Sequence, residues 1–180
     1  SKRFTYVGVD NVSGGELATE QLIASGCKQI ATITGDLAVQ SARERLAGYK
    51  SALRKAGLDL DKNLILEGNF SKESAESVLS SALQNKLKFD GLFVANDVMA
   101  IAALRVLHDY GIPVPNKVKL IGFDGSDIAR KSSPSIASIS QPSYELGSVV
   151  AGNLVKALNR EAIANVSLEL AVVPGESITA

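Results

Sequence analysis

Four times along this chain a short run of β-branched and apolar residues breaks off at a polar or aromatic residue, and a helix-forming stretch follows. The runs are residues 29–34 into Gly35-Asp36, 63–69 into Phe70, 91–95 into Asn96-Asp97, and 119–123 into Asp124-Gly125. Such alternation, at intervals of about 25–40 residues, means right-handed βαβ units and hence an α/β fold with a doubly wound parallel sheet. In a sheet of this kind the carboxyl ends of the strands share one edge, and ligands bind in the crevice there. Phe70, Asn96 and Asp124, far apart in sequence, are therefore expected to converge on one cleft. That pattern describes a small-molecule binding domain.

The remaining elements follow from period and punctuation. Residues 4–9 predict a first strand, and 15–25 a helix that ends at Gly26, a residue suited to the left-handed position after a helix. A helix over 41–56 carries Leu46, Tyr49 and Leu53 at helical spacing and ends at Gly57. Ser71 is placed to cap the next helix, and Gly111 to end the apolar helix 98–109. Pro113 and Pro115 forbid further helix before a strand at 118–122. After Asp124 come a loop at 132–135, an extended run at 136–140, a helix at 143–158 and a last strand at 168–173. The chain is expected to cross at Gln141-Pro142 into a second subdomain.

Composition narrows the functional classes. The 180 residues are 46% hydrophobic and 21% charged, with a formal net charge of zero. Nothing there supplies the basic footprint that nucleic-acid binding needs. The single cysteine, Cys27, allows no internal disulfide and gives no sign of an oxidised compartment. No apolar run approaches a membrane-spanning length, and the start lacks a signal-peptide core. A strand so close to the first residue suggests a cut chain.

Each candidate residue has a functional and a plain reading. Arg45 lies early in its helix, at the ligand edge, where a guanidinium gives paired hydrogen bonds to vicinal hydroxyls or a carboxylate; alternatively it joins a solvated basic face with Arg43, Lys50, Arg54 and Lys55. Phe70 either stacks on the apolar face of a sugar or a planar base, or plugs the core. One of Asn96 and Asp97 caps the following helix, and the cap can also offer its amide to a ligand. Asp124-Gly125 is a turn, or Asp124 is a double acceptor for sugar hydroxyls.

Enzyme signatures fail more clearly. There is no G-x-S-x-G elbow and no phosphate loop, and Gly8 with Gly14-Gly15 has the wrong spacing for a dinucleotide fingerprint. His108 is the only histidine, so with one Cys there is no usual nitrogen–sulfur metal cluster. No catalytic residue, metal site or cofactor is expected.

Several stretches together resemble the lactose- and galactose-repressor family of bacterial transcription regulators. They are Val9-Asp10-Asn11 with Gly14-Gly15, the run Ala-Arg-Glu-Arg-Leu-Ala-Gly-Tyr ending at Tyr49, and Val-Ala-Asn-Asp-Val-Met-Ala ending at Ala100. Further on come Gly111-Ile112-Pro113-Val114-Pro115, Leu120-Ile121-Gly122-Phe123-Asp124-Gly125, and Ile139-Ser140-Gln141-Pro142 with Leu146-Gly147. The resemblance covers essentially the whole chain, in order. It implies a periplasmic-binding-protein-like effector domain of two α/β subdomains with a ligand in the cleft between them. It also implies that Asp10, Arg45, Phe70, Asn96, Asp124 and Gln141 line the effector site.

A full regulator of this kind would begin with a helix-turn-helix DNA-binding domain, a hinge helix and most of an amino-terminal subdomain, none of which is in this sequence. The expected division is a strand-and-helix remnant of that subdomain at 1–28, the carboxyl-terminal effector-binding subdomain at 29–140, and a crossover with mostly late amino-terminal elements at 141–180. The apolar face around Val149 and Leu154 would lack its normal neighbours. The leading expectation is a cytoplasmic repressor's effector-sensing domain, a homodimer when intact, touching DNA only through the missing segment and not touching membrane. Its effector would be a sugar or sugar phosphate, a purine ranking behind. An extracytoplasmic sugar-binding protein of a transporter is the rival.

Overall fold

A computed structural model describes residues 5–179. In chain order the elements are β1 (Val7–Val9), α1 (Asn11–Ala24), β2 (Ile30–Thr34), α2 (Gln40–Lys55), β3 (Ile65–Glu67), α3 (Lys72–Gln84), β4 (Gly91–Val94), α4 (Asp97–Asp109), β5 (Lys119–Asp124), a short α5 (Asp127–Arg130), β6 (Ala137–Ser140), α6 (Ser143–Leu158), β7 (Val166–Leu168) and β8 (Ala171–Val173). Six strands form one sheet in the order β3-β2-β4-β5-β6-β8. All its pairings are parallel except β6 with β8. β1 and β7 form a separate parallel pair.

Strands β2, β4 and β5 read as nearly continuous apolar runs because helices cover both faces of the sheet. Successive side chains then alternate between two cores. Ile30, Phe93, Ile121 and Phe123 pack with Leu22 of α1 and with Tyr49 and Leu53 of α2. Ala31, Ile33, Leu92, Val94 and Leu120 pack with Leu79 of α3 and with Met99 and Leu107 of α4. Tyr49 is fully buried, and its hydroxyl donates to the Ile30 carbonyl at 2.6 Å. The punctuation is as the sequence implies: Gly26, Gly57 and Gly111 take φ of +93°, +66° and +66°. Ser71 Oγ accepts from Ser74 N at 3.2 Å.

Four expectations need correction. The first strand begins at Val7; the Phe4 end of the expected range lies outside the described residues. The helix that follows begins at Asn11, because Asp10 caps it and overrides the Gly14-Gly15 pair. This helix lies on the six-stranded sheet, with Ala18 and Leu22 in its core, so residues 11–24 belong to the larger unit and not to an amino-terminal remnant. The expected strand 168–173 is two strands: β7 pairs with β1, the chain crosses at Glu169-Leu170, and β8 pairs with β6. The tail stays with the larger unit, where Ser177 accepts from Leu120 N through its carbonyl and from Ala137 N through its hydroxyl. Among the described residues, β1, α6 and β7 lie outside the six-stranded sheet and the helices packed on it. None of the α6 residues is buried, and Tyr144 and Leu158 are 92% and 75% exposed.

Helices α1 and α2 approach to backbone contact. A Cβ on Gly15 would overlap the Arg45 carbonyl, and one on Gly48 the Val12 carbonyl. Neither obstacle is a flexible side-chain end. Gly48→Ala is expected to lower the urea midpoint, because overpacking costs about 1–3 kcal/mol. A clash between two backbones lies at the upper end of that range, so it exceeds the ~1 kcal/mol alanine gains over glycine inside a helix.

Candidate functional site

The carboxyl ends of β2, β3, β4 and β5 deliver their following residues to one edge of the sheet, and Arg45 enters this edge from the second turn of α2. Arg45 is only 6% exposed. Its Nε donates to Asn11 Oδ1 at 2.9 Å, and Nη1 donates to the Ala95 carbonyl at 2.5 Å. The guanidinium carbon sits 3.6 Å from the centre of the Phe123 ring, a cation–π contact. Nη1 lies 3.8 Å from Asp124 Oδ1, an ion pair longer than a hydrogen bond. Nη2 makes no hydrogen bond to the described residues.

Asp124 is the last residue of β5, and its backbone takes φ +109°. A non-glycine residue in such a region costs on the order of 1–3 kcal/mol and persists only where its surroundings hold it. Gln141, just beyond β6, is one holder: Nε2 donates to Asp124 Oδ1 at 2.7 Å, and Gln141 N donates to the Asp124 carbonyl at 3.2 Å. Burial pushes the Asp124 carboxyl above the usual range, opposed by the Arg45 charge and the Gln141 bond. Burial likewise lowers the Arg45 guanidinium, opposed by Asp124 and then Asp97. Each charge offsets part of the other's desolvation.

Asn96 is the cap of α4, and its amide also holds the Phe70 backbone. Oδ1 accepts from Met99 N at 2.8 Å and caps α4, while Nδ2 donates to the Phe70 carbonyl at 3.2 Å. Phe70 has φ +65°. Its ring lies so close over Gly35 that a Cβ there would overlap it, and it packs half-buried on the α3–α4 core. The contacts thus run from Phe70 through Asn96 and Ala95 to Arg45, Asp124 and Gln141. Five of the six expected residues come together, and the four besides Arg45 are half-buried.

Asp10 makes no hydrogen bond to this group. Its oxygens accept from Ser13 N at 3.0 Å and Ser13 Oγ at 2.7 Å, and it lines a separate cavity of about 310 Å³ with Leu17, Glu169 and Leu170. Its neighbour Asn11, 8% exposed, reaches Arg45 instead. Sequence reasoning missed Asn11, and it also missed Asp97, which is 1% exposed. One signal was available: two polar residues stand at the β4–α4 junction, where only one can cap. The cluster offers a guanidinium nitrogen, a carboxylate, two carboxamides and an aromatic face. It suits a polyhydroxylated ligand with an apolar face better than bond-breaking chemistry.

The periplasmic binding protein-like domain family matches residues 19–178. The HTH-type transcriptional regulator CelR of Thermobifida fusca is 37% identical over 169 residues, which are 94% of this chain and 50% of that protein. The ribose operon repressor of Escherichia coli K12 is 31% identical over 161 residues, 89% of this chain and 49% of that protein. A solved transcriptional regulator CelR-cellobiose complex superposes with a TM-score of 0.93 at 35% identity, covering 98% of this chain and 54% of that one. The chain spans about half the length of the curated relatives it matches.

Arg45→Met should raise the titration point of the Asp124 carboxyl further above the usual range, since the charge that opposes burial is gone; carbon-13 NMR of the side-chain carboxyl reads this directly. At Asp10 the sign is opposite. The Ser13 backbone and side-chain hydrogen bonds hold its carboxyl below the usual range. Its stabilising contribution is therefore present above the ordinary carboxylate range and lost as pH falls through the lowered folded value. Asp10→Ala should cost about 1 kcal/mol as a lost cap, and Asp10→Asn should keep the cap while reducing this acid-side loss in urea melts at a series of pH values.

Proposed function

This chain belongs to the periplasmic binding protein-like domain family, and from that premise we propose that it is the effector-sensing region of a bacterial transcription regulator of the lactose- and galactose-repressor type. The observation that carries the reading is the continuous Asn11–Arg45–Asp124–Gln141 linkage at the sheet edge. Asn11 and Gln141 sit where the chain passes between the two-stranded and six-stranded sheets. A ligand taking Nη2 of Arg45 and the free lone pairs of Asp124 would act on contacts that reach both passages. Differential contact of this kind is what a ligand needs to shift a hinge equilibrium.

The effector is a sugar or sugar phosphate. Arg45 pairs with vicinal hydroxyls or a phosphate, Asp124 and Asn96 bond to hydroxyls, Gln141 steadies Asp124, and Phe70 offers its ring to an apolar sugar face. Asp10 contributes from the other lobe, where it lines its own cavity. Relatives named as regulators and repressors, one of them in a cellobiose complex, support this reading over a transporter's binding protein. The intact protein is a repressor that works as a cytoplasmic homodimer and contacts DNA through a helix-turn-helix segment, and relatives named as regulators and repressors favour binding over catalysis. Among the described residues no helix is long and apolar enough to cross a membrane.

The test is a thermal-shift screen of the intact protein against cellobiose, ribose, their phosphates and hypoxanthine. A ligand at a hundred times its Kd stabilises by about 2.7 kcal/mol. The expected hit is a sugar; a purine hit would replace it as effector, and no shift with any compound would sink the reading. Hydrogen bonds to charged groups contribute roughly 1.5–3 kcal/mol, so Arg45→Ala should weaken the hit about ten- to a hundredfold in calorimetry.

A further inference from the structure

Asp97 is absent from the edge cluster, yet its carboxylate is almost wholly enclosed. It opens α4 beside the capping Asn96. Its Oδ2 accepts from Ser126 N at 2.7 Å, and its Oδ1 accepts from Ser138 Oγ at 2.7 Å. Ser138 Oγ in turn accepts from Gly125 N at 3.0 Å. Ser138 is also 1% exposed. Two successive backbone amides, those of residues 125 and 126, are thus gripped from inside the protein. The carboxylate also lies flush on β5, since a Cβ at Gly122 would overlap Asp97 Oδ1.

The turn held in this way is the one that needs holding. Asp124 and Gly125 have φ of +109° and +71°, and a Cβ on Gly125 would collide with Ser140. Gln141 fixes Asp124 from the β6 side, but its bonds end on Asp124 itself and leave the residues after it free. The bonds from Asp97 and Ser138 supply the missing half. We propose that Asp97 and Ser138 are positioning residues for effector recognition: they lock the 124–126 turn so that the Asp124 carboxylate stands at the sheet edge, although neither side chain can reach a ligand. The inference rests on the effector-binding reading of that edge.

The deciding measurement needs no ligand. Ser138→Ala is nearly isosteric and removes only the hydroxyl relay, while Asp97→Asn keeps the shape and removes the charge. In NMR of the free protein, hydrogen exchange at Gly125 and Ser126 should accelerate at least tenfold in both variants while the β4 and β5 amides stay protected. The Asp124 carboxyl, which burial and the Asp97 charge both raise against Arg45 and Gln141, should titrate lower, and lower still in Asp97→Asn. In the intact protein, cellobiose, or ribose where that sugar is the hit, should bind about tenfold more weakly to Ser138→Ala.

Exchange and titration identical to wild type in Ser138→Ala would overturn the proposal, as would unchanged affinity beside altered NMR. A wild-type protein that binds no sugar while its variants show the NMR changes would instead overturn the effector reading and leave the turn-locking role supported.

Discussion

A guanidinium buried at the edge of a sheet is expensive to desolvate unless its donors are met. Arg45 meets this demand with one bond to α1, one to the end of β4, a ring from β5 beneath it and a carboxylate of β5 within ion-pair range. Those partners come from three elements that are not adjacent in sequence. The side chain is therefore a junction as well as a ligand candidate, and the cluster around it is assembled before any ligand arrives. Preorganisation of this sort lowers the ordering cost of binding.

The strain near the site follows from the same demand. Phe70 and Asp124 both adopt positive φ, and each carries a carbonyl that a neighbouring amide side chain or backbone takes up. Asp124 ends β5 and Phe70 stands just before the cap of α3, both where the chain turns from the sheet plane toward a helix. The turns point a ring and a carboxylate along the edge, which a more relaxed conformation would turn elsewhere.

Local signals carried much of the architecture. Caps at Ser71 and Asn96 and terminators at Gly26, Gly57 and Gly111 depend on neighbours a few residues away, so they were readable without coordinates. The convergence of Phe70, Asn96 and Asp124 followed from topology alone. What stayed hidden was long-range pairing: Asn11 finds Arg45 34 residues on, and Asp97 finds Ser126 and Ser138 at 29 and 41. The split of residues 168–173 was also invisible, because an apolar run does not say that its two halves pair with different partners. An amphipathic helix is equally silent about which sheet it will cover, and α1 shows this.

The glycine contacts between α1 and α2 bear on the sheet edge as well. With carbonyls of each helix seated where the other lacks a side chain, a bulkier residue at either glycine would have to push the two backbones apart. Arg45 rides on this close-packed pair, so the spacing of α1 and α2 also sets how near the guanidinium stands to Asn11. Two residues without side chains, outside the edge cluster, thus help to gauge the reach of the buried cation within it.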